Sequence, residues 1–177
     1  MVRRLNKFIN EVENFSGPEE VKELRQRVLK EIDENDWSGV YDPRDVQRLK
    51  DDDYFCKRVL RHRSGNMDAA VEIVKTVFKW RKEFGIHDLT EEDINPDIVS
   101  KGAVFTYNED KERNPILILR VNCHRKDPAT VVERKKIISY WIEKLERENK
   151  EGSVSVLLDC SDTGLTNMGV IYSDRNY

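Results

Sequence analysis

Two apolar runs in the second half of the sequence, joined by an amphipathic segment, constrain the fold most strongly. Pro115 opens a continuous apolar run over 116–121, and a second run covers 153–159. Runs of this kind are typical of strands that are buried on both faces. Between them, residues 128–149 repeat apolar side chains at helical spacing. A strand, a long helix and a second strand predict a right-handed crossover between parallel neighbours.

The first half of the sequence has helical patterns instead. Apolar side chains fall on one helical face in four segments, which are 2–15, 19–34, 54–62 and 67–84. Asp42 followed by Pro43 predicts the N-cap and first residue of a further short helix, and Gly85 lies where a helix stop is expected. We therefore expect a mixed α/β protein, in which an all-helical N-terminal region is followed by the start of a βαβ sheet.

Charge and composition exclude several classes of protein. The 31 Lys and Arg residues nearly balance the 34 Asp and Glu residues, whereas a dedicated nucleic-acid binder is normally visibly basic. The aliphatic run over 116–119 is far shorter than the roughly 20 residues of a membrane-spanning helix. The N-terminus has no hydrophobic signal region, and the spacing of the three cysteines predicts free thiols. We expect a cytoplasmic chain with no nucleic-acid partner.

Asp159 ends the second apolar run, where ligands gather in open α/β sheets. With Ser161 and Thr163 it approximates a magnesium-binding D-x-S-x-T motif, so a metal-dependent α/β enzyme is one hypothesis. Residues 162–164 match an aspartic-protease triplet, but that chemistry needs two carboxylates that share a proton, and no second copy exists. The simplest interpretation is that Asp159 caps the turn after its strand.

Other polar groups in the sequence form no catalytic set. The three consecutive carboxylates over 51–53 point apart on a helix, and we interpret them as favourable negative charge at a helix N-terminus. His62, His87 and His124 have no partner at the spacing of a metal or catalytic site. The sequence therefore predicts no catalytic residue, no metal site and no cofactor.

Two basic clusters are candidate anion sites. The first contains Arg58, Arg61 and Arg63 beside Lys57, near the predicted end of a helix, and planar guanidinium groups suit phosphate. The second covers 125–126 and 134–136, near the start of the crossover helix, where it could touch an anionic membrane surface. Charge runs are also commonly no more than solvated faces, and that alternative stays open.

Several segments together resemble the CRAL-TRIO lipid-transfer family. Those similar to its N-terminal helical region are 59–63 (Val-Leu-Arg-His-Arg), 68–70 and 78–83 (Phe-Lys-Trp-Arg-Lys-Glu). Those similar to the opening of its α/β lipid-binding part are 102–104, 114–118 and 156–159. Within the family, 41–46 and 159–164 most resemble members that also carry a motile-sperm domain. The resemblance covers about 41–166 and is specific as an ensemble.

The resemblance implies a non-enzymatic protein of an organelle-contact type that binds or transfers a hydrophobic, phospholipid-like ligand. In phosphatidylinositol-transferring relatives, an arginine of the leucine-arginine-x-arginine stretch contacts the headgroup phosphate. That position corresponds to Arg63, and Arg61 and Arg58 are the neighbouring candidates. The sheet would form the floor of the lipid pocket, and its implied lining residues are Ile116, Ile118, Val156 and Leu158.

The resemblance also implies three regions. They are an N-terminal helical extension over 1–40, the CRAL-TRIO N-terminal helical region over 41–90, and an incomplete CRAL-TRIO lipid-binding domain over 91–177. Residues 168–177 depart from the family pattern, so we expect an N-terminal fragment. Full-length relatives bind phenylalanine-containing motifs on other proteins through a motile-sperm domain, and are anchored in the endoplasmic reticulum membrane facing the cytosol. A protein-interaction or scaffold fragment without its own ligand is the alternative.

Overall fold

The structure is a computed structural model that describes residues 16–34, 39–124, 127–149, 153–164 and 167. The predicted helix over 2–15 lies outside these ranges. The chain forms two compact units, which divide between His87 and Asp88. The first unit is helical and the second contains a three-stranded sheet, so the predicted mixed α/β class is confirmed.

Four helices build the first unit, and their bounds follow the capping residues. They are α1 (Pro18–Glu34), α2 (Pro43–Asp51), α3 (Asp53–His62) and α4 (Met67–Phe84). The Asp42 carboxylate accepts a hydrogen bond from the Arg44 N–H at 2.8 Å, and Pro43 is the first residue of α2, as predicted. Among the three consecutive carboxylates, Asp52 caps α3 by accepting from the Phe55 N–H. Gly85 ends α4 with a φ of +71°, a conformation that costs glycine little.

The apolar faces of these four helices meet in one core. Phe78 lies near its centre, stacked on Phe55 at 5.8 Å between ring centroids and edge-on to Tyr41 at 6.1 Å. The other buried members are Val21, Leu24, Val28, Leu49, Cys56, Leu60, Ala70, Val71 and Val74. Helix α1 therefore shares its core with α2, α3 and α4.

The second unit combines a short helix, a hairpin and a crossover. Its elements are α5 (Pro96–Ser100), β1 (Val104–Glu109), β2 (Pro115–Arg120), α6 (Val131–Glu148) and β3 (Ser155–Asp159). Single 3-10 turns cover Ile86–Asp88, Glu91–Asp93, Val121–Cys123 and Pro128–Thr130. The strand order is β1-β2-β3, with β1 antiparallel and β3 parallel to β2. The predicted parallel crossover is confirmed, and its helix begins at Val131 after a 3-10 turn instead of at residue 128.

The hairpin turn of the second unit is held by one carboxylate. Asp110 accepts hydrogen bonds from the backbone N–H groups of Glu112 and Asn114 and from the Asn114 side chain. The Ser155 hydroxyl donates to the same carboxylate at 2.6 Å, which ties the turn to β3. These bonds, with that from Ser155 the strongest, lower the pKa of Asp110 to about 2.

All three cysteines are free thiols, as predicted. Cys56 lies in the helical core, where burial raises its pKa to about 11, whereas Cys160 is exposed. Within the described ranges, no helix is both long enough and apolar enough to cross a bilayer.

Candidate functional site

The three predicted headgroup arginines lie at the C-terminal end of α3. Arg58 and Arg61 are exposed, and the Arg61 Nε lies 3.3 Å from the hydroxyl of Ser16, to which it donates. Arg63 follows the helix, and its Nε is buried without a hydrogen-bond partner in the described part of the chain. Positive side chains are favourable near a helix C-terminus, so the position of this cluster has a structural cause independent of any ligand. Its role as a headgroup site stays a prediction.

The four predicted pocket residues lie on opposite faces of the sheet. Register pairs Ile116 with Ser155 and Ile118 with Leu157, so the two isoleucines share a face. Val156 pairs with Leu117, and Leu158 pairs with Leu119, which puts both on the other face. The structure therefore does not bring the four residues together, because side chains alternate along each strand. Their contact with lipid stays a prediction.

A cavity of about 790 Å³ lies between one face of the sheet and α6, and we call it the helix-side cavity. The sheet lines it with Val104, Leu119 and Leu158. The N-terminal half of α6 lines it with Val131, Ile137 and Ile138, and Ile98 of α5 completes the apolar part. Its volume falls within the roughly 300–1,000 Å³ of small-molecule sites, which are concave and mostly apolar. Of the predicted pocket residues, only Leu158 lines it.

One end of the helix-side cavity is polar and lies where β2 leads into the crossover. Arg134 lines this end, and its Nη1 donates to the Thr130 hydroxyl at 2.5 Å and to the Asp127 carbonyl. His124 lines it as well, and its carbonyl accepts a hydrogen bond from the Asn167 side chain at 2.5 Å. Burial, with a smaller effect from the Arg134 charge, lowers the pKa of His124 below its ordinary value.

An open groove of about 780 Å³ lies at the carboxyl ends of β2 and β3, and Asp159 lines it with Arg120. The Asp159 carboxylate accepts from the Ser161 N–H at 2.9 Å, as expected of a turn cap. Its other oxygen lies 3.8 Å from the Arg120 Nε. The bond from Ser161 and the Arg120 charge lower the pKa of Asp159. Among the described residues, no group of three or more His, Cys, Asp or Glu side chains could hold a metal ion.

Sequence reasoning missed most of the helix-side cavity. His124 has no metal or catalytic partner in the sequence, and the predicted site does not include Lys101 or Leu119. The signal that could have found Leu119 is the alternation within the apolar run of β2, since Leu117 and Leu119 share the face opposite Ile116 and Ile118. No local pattern marks His124, because it follows a 3-10 turn and the contacts of such irregular backbone depend on tertiary packing.

Comparison with known proteins supports the CRAL-TRIO family. The CRAL/TRIO domain matches residues 99–174, a range that contains almost the whole lining of the helix-side cavity. Patellin-3 of Arabidopsis thaliana is 26% identical over 165 residues, which cover 83% of this chain and 33% of Patellin-3. The chain thus spans about a third of the length of this curated relative.

Proposed function

We propose that this chain, whose similarity to CRAL/TRIO domains is the premise, binds a lipid in the helix-side cavity and carries out no chemical step on it. The observation that carries the proposal is the cavity of about 790 Å³, with an apolar floor and a basic end. An amphiphile matches this arrangement, because its chain replaces water on the apolar side chains while its head stays near the polar end.

The favourable free energy of such binding comes mainly from burial of the acyl chain of the ligand. Burial of ten methylene groups contributes roughly 8 kcal/mol. Association costs an estimated 4–15 kcal/mol in lost freedom of motion. An acyl chain alone therefore gives weak binding at best, and contacts to the head decide whether the complex is stable. A protein that transfers lipids needs this intermediate affinity, because it must also release its ligand.

The finer predictions from the sequence are carried forward here as proposals. A closer relationship to the CRAL-TRIO proteins that also carry a motile-sperm domain is supported by the motifs over 41–46 and 159–164. The proposal of an organelle-contact role depends on that relationship. A headgroup contact by Arg63 is supported by its place in the leucine-arginine-x-arginine stretch and by its buried Nε. A cytoplasmic location is supported by the three free thiols.

The test uses two neighbouring valines at the start of α6. Val131 lines the helix-side cavity, whereas Val132 is 55% exposed and is not part of the lining. We expect Val131→Trp to fill the cavity and to weaken binding of a fluorescent long-chain fatty acid by about tenfold or more. The matched control, Val132→Trp, should bind within about twofold of the unchanged chain. Circular dichroism and thermal unfolding check that both variants fold.

Two results would overturn the proposal. One is the absence of saturable binding of the fatty acid to the purified chain. The other is equal binding by the Val131→Trp and Val132→Trp variants, which would place the ligand outside the cavity. Mass spectrometry of an organic extract of the purified chain gives an independent measurement, and copurified lipid that is reduced only in Val131→Trp would support the proposal.

A further inference from the structure

The polar end of the helix-side cavity contains an unsatisfied buried nitrogen. The Nε2 atom of His124 is buried and makes no hydrogen bond with any residue that the structure describes. A buried polar atom without a partner costs free energy, and native proteins keep such atoms rarely. His124 also lines the cavity, so a molecule in the cavity lies next to this residue.

The charge of the lining favours an anion. Among the described residues of the lining, Lys101, Arg134 and Lys135 are cationic and Asp127 is anionic, whereas Arg120 lies near Asp159 on the other face of the sheet. The described lining therefore has a net charge of +2, counted as three minus one, whereas the whole sequence has a net charge of −3. A concave site lined by one sign of charge concentrates its field on the ligand.

Arg134 is held in place for such a role. Its guanidinium is fixed by the Thr130 hydroxyl and the Asp127 carbonyl, so part of the entropy of ordering a long side chain is already lost before a ligand binds. These two acceptors precede α6, so the same end of the cavity lies at the start of an 18-residue helix, where the helix dipole adds positive potential. Arg134 and the partly buried His124 both line this cavity, and His124 lies next to the 3-10 turn that follows β2.

We propose that His124 and Arg134 bind the anionic head of an amphiphile, a carboxylate or a phosphate ester, whose apolar chain lies over Val104 and Leu119. This assignment rests on the proposed lipid-binding function and adds the chemical class of the ligand. A neutral imidazole can donate its one N–H to an oxyanion, and the guanidinium supplies a charged donor beside it. His124 and Arg134 then contact the anionic head of the amphiphile, and the sheet contacts its apolar chain.

The experiment compares three amphiphiles of equal chain length with inorganic phosphate. Dodecyl phosphate, dodecanoate and dodecanol each displace the fluorescent fatty acid, and phosphate alone is the arm without a chain. We expect the two anionic compounds to bind about tenfold or more tightly than the alcohol, the size typical of hydrogen bonds to a charged group. Inorganic phosphate should compete only at far higher concentration.

Variants then locate the head. Arg134→Gln should reduce the preference for anionic compounds to about threefold or less, while the affinity for dodecanol changes little. His124→Gln should reduce it in the same direction. The matched control is Lys111→Gln, which removes an exposed positive charge in the hairpin turn, outside the lining, and should keep the full preference.

A spectroscopic readout does not depend on any variant. Dodecyl phosphate bound beside His124 should raise the pKa of His124, followed by NMR of its ring, because a nearby anion favours the protonated imidazole. Among the described residues, the other charged groups of this lining are Lys101, Asp127, Arg134 and Lys135, and none of them changes when dodecanol replaces dodecyl phosphate. Dodecanol should therefore leave the pKa of His124 nearly unchanged.

The outcomes separate this inference from the function on which it rests. Equal binding of dodecanol and the anionic compounds to the unchanged chain would overturn the anionic head and leave lipid binding intact. Equal competition by inorganic phosphate and dodecyl phosphate would overturn this inference, because it would show an anion site at which the dodecyl chain adds nothing to binding. Failure of all three amphiphiles to bind would overturn both proposals.

Discussion

The two units of this chain bury their apolar side chains to very different degrees. In the helical unit, Leu24, Leu49 and Phe78 are at most 1% exposed. In the sheet unit, three consecutive side chains of β3, from Val156 to Leu158, are 47–55% exposed, although they lie on both faces of the strand. The helical unit therefore uses its apolar residues for its own core, whereas the sheet unit keeps apolar surface that a ligand or partner can cover.

The difference in burial predicts a large difference in the cost of truncation. Phe78→Ala in the helical unit should destabilise it by about 3–5 kcal/mol, because it empties the centre of a packed core. Leu157→Ala in β3 should cost less than about 1 kcal/mol, since half of its surface is already in water. Native-state hydrogen exchange measures the two units separately. Equal destabilisation by the two changes would show that β3 is covered in solution and would remove the contrast.

The helical unit was the more predictable from sequence, and the reason lies in local interactions. Helix α4 was predicted at its observed bounds, because Gly85 and the repeat of apolar residues are local signals. Its buried face was less predictable: Val71 and Arg81 are buried, whereas Ile73 and Val77 are only half-buried. Which neighbouring helix covers a residue depends on tertiary packing, which periodicity does not contain.

The sheet unit shows where sequence reasoning fails. The parallel crossover followed from two apolar runs and the helix between them, yet a continuous apolar run does not reveal which residues share a face. The predicted pocket therefore combined Ile118 with Leu158, which the register separates. The polar end of the cavity was harder still, because His124 and Arg134 come to the same cavity through the irregular backbone and 3-10 turns before α6. Sites that depend on register and irregular backbone need the structure.

Each unit has a carboxylate with several hydrogen-bond or ion-pair partners, Asp45 in the helical unit and Asp110 in the sheet unit. The second prediction concerns Asp45, which is buried. Asp45 is fully buried in the helical unit, where it accepts from the Arg81 Nε at 2.7 Å and lies 2.9 Å from the His87 Nε2. Asp45→Ala should cost about 3 kcal/mol, since it removes a buried carboxylate that accepts from the largely buried Arg81 guanidinium. Denaturant unfolding of the helical unit measures this cost.

The control for the buried pair is an exposed one on the same unit. The Arg27 Nη2 lies 2.5 Å from the Asp68 Oδ1, and the two side chains are 40% and 84% exposed. Arg27→Ala should cost less than about 1 kcal/mol, because water already screens the pair. If Asp45→Ala cost no more than Arg27→Ala, the attraction within the buried pair would only offset the free energy of removing its two charges from water.

The carboxylate of the sheet unit gives the smallest effect and a pH-dependent one. The pKa of Asp110 is lowered to about 2, first by the Ser155 hydroxyl and then by Asn114. A depressed carboxyl pKa means that this interaction stabilises the folded state at pH values above the ordinary carboxyl pKa near 4, and that the stabilisation is lost as the pH falls towards 2.

Ser155→Ala removes the strongest bond, so the pKa of Asp110 should rise towards its ordinary value while the Asn114 bonds keep it somewhat lower. The acid unfolding of the sheet unit should then begin at higher pH. Carboxyl NMR titration measures the pKa, and Ser153→Ala, which keeps the backbone N–H that donates to Asn114, is the matched control. If Ser155→Ala left the pKa of Asp110 at about 2, the hairpin turn alone would hold the carboxylate, and the Ser155 hydroxyl would have no part in lowering that pKa.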